Sequence, residues 1–527
     1  SALSLGAYTF YADTTDTSAN RSDCSAVNLN YTVNYTVSGT LTYDFVPVTI
    51  TNRLDYENFS QKPMRNVYVE LLRSSDNTVL GSTSTDESGT YSISVDAAET
   101  AKLTIYGESK DPAIQIVDNT NSQALYAVQL SHASISSNTV IDYNAPSGWS
   151  GTNAAGSYTS NRVAAPFAIL DTMFASTKKF TDVRSEVHFP LLVVNWSVNN
   201  IPSTGDKTLG EIGTSHYTSV TQQLYILGKA DVDTDEFDRH VTAHEWGHYF
   251  EDNVGRSDSI GGPHSAGDYL DQSVAFGEAF GNALSAIVHD PDVSYRDTYG
   301  TRQQNGYGFS LESSSDPAPG WYSEVSIQEI LFDIYDNADD GDDSIALGLG
   351  PMYDVLVGKQ KTTPAVTSIF SFVTGLKEQN PSYLSEIDAL TAGKGIEDIV
   401  DEYGSTEDDD GGLSFVLPLY KQFNNGNFVQ LVNAGSSFGW NDIANNNFVR
   451  FTATSGTTKL TFSGDVYIVV NVYKLGTKIQ DNITMDLWSG IQSVNFSTEI
   501  GQQYILRVQN YSSYTGASDV YVSKEDI

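Results

Sequence analysis

The hydrophobic period of this chain changes twice along its length, and that switching constrains its fold more than any single motif. In residues 1–150, apolar and polar positions alternate in short runs separated by Gly, Asn, Asp and Ser, and the runs at 30–42, 67–72, 91–95 and 101–106 read as strands. After a Gly- and Ser-rich stretch at 148–160 the period lengthens. Val163, Phe167, Leu170, Met173 and Phe174 recur at helical spacing, and helical patterns follow at 237–253, 273–289, 323–335, 365–378 and 383–392. Within this region Leu191-Leu192-Val193-Val194 reads as a buried strand and residues 220–228 as an edge strand. Strand alternation then returns at 448–451, 458–462, 466–472 and 503–508. Alternate side chains of a strand face opposite ways, whereas helical neighbours recur every three or four residues, so one element type cannot serve the whole chain. The expected fold class is multidomain: a β-rich region over 1–150, an α+β domain over 151–430 and an all-β domain over 431–527.

Charge narrows the partners. The 527 residues include 66 Asp and Glu against 28 Lys and Arg, a formal charge of −38. A field of that sign repels phosphate backbones and anionic membrane surfaces, so nucleic acid is not an expected partner. Hydrophobic residues at 39% and aromatics at 11% supply enough apolar surface for packed cores and exclude wholesale disorder. Cys24 is the single cysteine and cannot close an intrachain disulfide. No run of 18 apolar residues occurs and Ser1-Ala2-Leu3-Ser4 lacks the basic start of a signal peptide, so no transmembrane segment is expected. The excess of Ser, Thr, Asn, Tyr and Asp is that of a secreted protein in a saline medium, where screening relieves self-repulsion.

Six of the eight histidines fall between His216 and His289, which concentrates the metal-binding potential in one stretch. Two of them stand in His244-Glu245-Trp246-Gly247-His248, within the helical pattern at 237–253. Asp233 and Glu236 have capping-box spacing ahead of it, and Asp235, Glu236 and Asp238 suit the positive end of a helix dipole. Residues four apart share a helix face, so His244 and His248 can grip one Zn²⁺ while Glu245 acts as general base toward water. A catalytic zinc needs a third protein ligand. Val254 stands where a metzincin pattern would place one, whereas Glu278 is a lone carboxylate in the apolar helical run 273–284 and needs a metal or strong donor if buried. Gly277 and Gly281 flank it and lower helix stability, which makes sense if this helix closely approaches the first. His240 and His289 read as structural or exposed.

Residues 233–290 resemble the gluzincin metallopeptidases, the group of thermolysin-like and fungalysin-like enzymes that pair such a histidine motif with a downstream Glu-x-x-x-Asp helix. The resemblance implies a zincin-like α+β metallopeptidase domain in which His244, His248 and Glu278 bind zinc and Glu245 is the base. Asn282 stands where the family has Asp, and an amide oxygen accepts a ligand-histidine N–H less strongly than a carboxylate. Members of the group stabilise the oxyanion with a late Tyr or His, for which Tyr322, His264 and Tyr269 are the candidates, and the loop 257–271 would line the cleft. At the N-terminal side, Val67-to-Leu72 and the turn Asp86-Glu87-Ser88-Gly89 resemble carboxypeptidase-regulatory or collagen-adhesin B-type sandwiches. At the C-terminal side, Gly501-to-Val508 is similar to the sandwich domains that follow many secreted peptidases, the prepeptidase C-terminal type.

The resemblance implies a secreted zinc endopeptidase whose partners are protein or peptide substrates, with surface or polymer binding through the sandwiches. The competing expectation is a catalytically inactive adhesion or carbohydrate- or protein-binding protein on the same scaffold. Dense oxygen donors also make a Ca²⁺ site conceivable at Asp336, Asp339, Asp340, Asp342 and Asp343, with a second acidic run at 407–411; a solvated loop is the plainer reading of both.

Overall fold

A computed structural model describes residues 6–23, 28–95, 99–312, 315–337, 345–423, 428–435, 438–510 and 517–527. Cys24 and the candidate calcium ligands Asp339, Asp340, Asp342 and Asp343 lie outside the described residues; Asp336 is described and closes a helix as its C-cap. Mixed helices and several separate sheets form two compact units. Unit 1 is Ser1–Ala175, Phe189–Thr242 and Asp297–Tyr307; unit 2 is Ser176–His188, Ala243–Arg296 and Gly308–Ile527.

Unit 1 is built from alternating strands. In Thr90–Val95, Tyr91, Ile93 and Val95 are buried while Thr90, Ser92 and Ser94 are exposed, as a half-buried strand requires. That strand pairs antiparallel with Tyr35–Phe45, and a second sheet runs in the order Ala127–Ile135, Glu99–Tyr106, Tyr68–Arg73, Val79–Ser84. The turn between the last strand and Thr90–Val95 forms as its residues dictate. Asp86 Oδ1 accepts the N–H groups of Ser88 and Thr90 at 2.8 and 2.9 Å, and Gly89 takes φ +73°, where a Cβ would meet the Leu41 carbonyl oxygen at 2.4 Å. A third sheet joins Ala113–Asp118, Leu192–Trp196 and Gln223–Ile226 in parallel, with His216–Thr218 antiparallel at its end. The stretch expected as an edge strand is therefore interior: Gln223–Ile226 has partners on both sides and the edge belongs to His216–Thr218. Leu224 and Ile226 are fully buried, which is what an interior position demands.

Four helices matter to the site: α1 (Ala164–Val183), α2 (Arg239–Asn253), α3 (Gln272–His289) and α4 (Glu324–Tyr335). The expected capping box ahead of α2 does not form. Asp233–Thr234 is a short strand, Glu236 is drawn into a buried ion pair with Arg162 at 2.7 Å, and the Asp238 carboxylate accepts the Thr298 N–H and hydroxyl. These acids satisfy unit 1 instead of the helix end. In unit 2, Phe180 stacks on Phe250 at 4.2 Å and lies 5.6 Å from Trp246. All 18 residues of α3 are buried, the polar Glu278 and Asn282 among them, so the helix has no solvent face. The chain's last strands form two sheets, one with Asn446–Thr452, Gln503–Asn510 and Tyr467–Lys474 and one with Phe428–Asn433, Ser518–Asp526 and Thr457–Gly464. Leu460, Phe462, Val470, Leu506, Val520 and Val522 from both sheets enter one apolar core. Among the described residues no helix is long and apolar enough to cross a membrane.

Candidate metal centre

Helix α2 sets His244 and His248 on one face, and α3 brings Glu278 against them. The approach is close because both helices carry glycine at the contact. A Cβ on Gly247 would lie 3.1 Å from Gly281 Cα, and one on Gly281 would lie 2.8 Å from the His244 ring. The expectation of a near approach at Gly281 is met. Gly277 is less demanding, since its Cβ would make only ordinary contact with Glu251 and Ser259.

The donor atoms converge. His244 Nε2 and His248 Nε2 are 3.1 Å apart, and Glu278 Oε2 lies 3.3 Å from the first and 3.4 Å from the second. Donors ~2.0–2.1 Å from a shared Zn²⁺ in tetrahedral array stand ~3.4 Å from one another, so the triangle has the size that a small divalent cation needs. The tautomers fit as well. His244 Nδ1 faces Asn282 Oδ1 at 2.9 Å, and a proton on Nδ1 leaves Nε2 with its lone pair toward the centre. Asn282 in turn donates through Nδ2 to Gln328 Oε1 of α4 at 2.8 Å, which fixes which way the amide faces. His248 Nδ1 has Glu251 Oε2 at 3.6 Å on its outer side. Two lone pairs and a carboxylate oxygen crowded together repel each other until a cation lies between them. The residues fit a metal.

The electrostatics point the same way. Burial works against the Glu278 charge, yet His248, His244 and His264 hold it well below the usual carboxylate range. Burial disfavours the His248 imidazolium, but Glu278, Glu251 and Glu245 outweigh that and raise it well above the usual imidazole range. Burial also raises Glu251 and Glu324. A field that favours a proton on the His248 imidazole equally favours a divalent cation beside it.

Among the other expected site residues, Glu245 is 9% exposed on α2 and its charge acts on His248. His264 joins the cluster: its Nε2 lies 3.4 Å from Glu278 Oε2 and 3.3 Å from Glu324 Oε2, and Nδ1 faces the Gly262 carbonyl at 3.1 Å. Tyr322 is committed elsewhere. Its hydroxyl donates to Asp409 Oδ2 at 2.8 Å and its ring lies 4.7 Å from that of Tyr269. His240 and His289 are both buried, 3% and 9% exposed. Sequence reasoning passed over Glu251, Glu324 and Gln328. Glu251 was findable, because it lies one helical turn beyond His248; Glu324 and Gln328 come from α4, 46 residues beyond Glu278 and Asn282, and carry no local signal.

No protein-family profile matches the chain, and no curated protein matches it. Among solved structures it is similar to the pre-peptidase C-terminal domain of a collagenase from Bacillus anthracis, at 11% identity over 20% of this chain and 94% of that one, with a TM-score of 0.16. It is also similar to CorA, a surface-associated copper-binding protein of Methylomicrobium album BG8, at 10% identity over 20% and 98% of the two chains, TM-score 0.16. A third is 5-hydroxyisourate hydrolase of Klebsiella pneumoniae, at 13% identity over 24% and 99%, TM-score 0.13. At these values the likenesses assign neither family nor activity.

Proposed function

We propose that this chain is a secreted zinc-dependent endopeptidase of gluzincin type, with residues 151–430 as its catalytic domain between two β-sandwich regions. The observation that carries the reading is the 3.1–3.4 Å triangle of His244 Nε2, His248 Nε2 and Glu278 Oε2 beside the buried Glu245. Zn²⁺ held there supplies Lewis acidity toward a peptide carbonyl and toward water. Glu245 takes the proton from the attacking water and delivers it to the leaving nitrogen, a single carboxylate serving as base and then acid. Asn282 keeps the His244 ring turned so that Nε2 faces the centre. Of the three oxyanion candidates His264 is the best supported, because its Nε2 lies against Glu278 and Glu324, while the Tyr322 hydroxyl is held by Asp409 and the Tyr269 ring lies against that of Tyr322.

The test combines metal analysis with hydrolysis of a peptide library. The purified chain is expected to hold one zinc and to cleave peptides; Glu245→Gln keeps the zinc and loses ~10²–10⁴-fold in kcat/KM. Full activity in Glu245→Gln, or zinc-replete protein that binds none, overturns the reading and leaves a binding protein on this scaffold.

A further inference from the structure

Unit 1 holds a second convergence of ionisable side chains, made only of oxygen donors. Asp233, Asp235 and Asp297 each bring one carboxylate oxygen to within 4.8 Å of the others. Asp235 is 3% exposed, and Asp238, whose charge acts on it, is fully buried. The Ser215 hydroxyl donates to Asp235 Oδ2, and Thr298 donates its N–H and hydroxyl to Asp238 Oδ2 at 2.9 and 2.8 Å. The opposite oxygens, Asp235 Oδ1 and Asp238 Oδ1, are buried without a hydrogen-bond partner, as are Asp233 Oδ1 and Asp297 Oδ1. The Gln303 amide adjoins the Asp233 carboxylate, and its Oε1 is likewise buried and unpartnered although Nε2 donates to the Thr298 carbonyl at 3.0 Å.

Among the described residues, no Lys, Arg or His forms an ion pair with any of the four aspartates; the buried Arg162 is committed to Glu236. Carboxylates taken out of water without a counter-charge are costly, and the chain has placed several side by side. Burial raises all four: Asp235 and Asp238 go well above the usual range and Asp297 to about 7, each with repulsion from neighbouring aspartates, and Asp233 goes up to about 6, with repulsion from Glu236. Something positive belongs among them.

We propose that Asp233, Asp235 and Asp297 hold a Ca²⁺ ion. A donor set of oxygen alone, with neither imidazole nor thiolate, selects a hard cation. Oxygens ~2.3–2.6 Å from one Ca²⁺ stand at most ~5 Å apart, and the three donor atoms meet that limit. Water entering from the solvent side would complete the shell toward the six to eight oxygens that calcium takes. Asp233 and Asp297 are only partly buried, which leaves a way in from solvent. None of these residues belongs to the acidic run at 336–343 that the sequence singles out.

The experiment titrates calcium chloride into chelator-stripped full-length chain while recording thermal unfolding, with terbium luminescence as a second readout, sensitised by Tyr307 beside Asp297. The unfolding midpoint is expected to rise with calcium, and terbium to bind and be displaced by calcium. Asp235→Asn and Asp297→Asn each raise the midpoint of the stripped protein, because each removes a crowded negative charge, and each weakens the calcium response at least tenfold. Should Asp235→Asn not fold, the partly exposed Asp233→Asn carries the same comparison. A stripped wild type indifferent to calcium, or Asp235→Asn, Asp233→Asn and Asp297→Asn variants that respond as wild type does, overturns the proposal.

Discussion

Arg507 and Asp271 form an ion pair at 2.5 Å in which their side chains are 0% and 1% exposed. Asp271 is the N-cap of α3: its Oδ1 also accepts the Ser273 N–H at 3.0 Å and the Ser273 hydroxyl at 2.6 Å. Arg507 comes from the strand Gln503–Asn510 and donates as well to the Asp258 carbonyl at 3.0 Å. One guanidinium thus ties a C-terminal strand of unit 2 to the start of the helix that bears Glu278. Removing a partner from a buried pair strands the other charge and costs ~3–5 kcal/mol. Arg507→Met is therefore expected to lower unfolding free energy in urea by that amount and to weaken zinc binding. Arg507→Lys keeps the charge without the fork and recovers part of both. Unchanged urea stability in Arg507→Met would show that the pair carries none of this load.

Asn282 stands between His244 and Gln328, and its two hydrogen bonds reach across three helices. Losing the acceptor frees the His244 ring, so Asn282→Ala is expected to lower zinc affinity ~10–100-fold. Asn282→Asp supplies a stronger acceptor to His244 and sets a carboxylate against Gln328 Oε1, an amide that can turn to donate. Zinc affinity measured by competition with a chromogenic chelator is expected to fall in the order Asp, Asn, Ala at this position.

Gly281 gives a purely steric prediction. A methyl group there would press 2.8 Å from His244 Cε1 and Nδ1, and the ring cannot yield without leaving Asn282. Gly281→Ala favours the isolated helix by ~0.5–1 kcal/mol, but overpacking against the buried ring costs ~1–3 kcal/mol, so apo stability and zinc affinity are both expected to fall. Extended absorption fine structure on the zinc-loaded variant would show a disturbed histidine shell; an unchanged shell at unchanged affinity counts against the close approach.

The sequence carried what is local. The helical spacing of Val163 to Phe174 falls on Ala164–Val183, and the helices expected at 237–253 and 273–289 agree with Arg239–Asn253 and Gln272–His289 to within two residues at each end, because a sustained apolar period has one structural solution. His244, His248 and Glu278 were legible for the same reason, from two spacings and one misplaced charge. Acidic residues were misread where a distant partner decides their role: Glu236 looks like half of a capping box until Arg162 claims it, 74 positions away. Asp297 had no signal at all, since only the fold brings it beside Asp233 and Asp235. The strand Ala113–Asp118 lies before the composition change at 148–160 yet pairs in parallel with Leu192–Trp196 after it, so a change of composition is not a break in a sheet.

Lys421 carries the pH prediction. Its ammonium donates to the Phe415 carbonyl at 2.9 Å, with the Val416 carbonyl at 3.4 Å, and among the described residues no carboxylate pairs with it; burial lowers it to about 8. The unfolded chain restores the ordinary lysine value of ~10.4, and between these two values the unfolded state binds more protons than the folded one. Stability from this group therefore rises as pH climbs from about 8 to ~10.4, and below 8 the full cost of burying the charge is present. A depression of this size corresponds to ~3 kcal/mol. Lys421→Met fills similar space with no charge and is expected to be more stable than wild type at pH 7, with the difference shrinking toward pH 10. Comparing urea midpoints of the two proteins at each pH cancels the titration of every other group. A difference that stays constant from pH 7 to 10 would mean that Lys421 keeps its ordinary proton affinity in the fold.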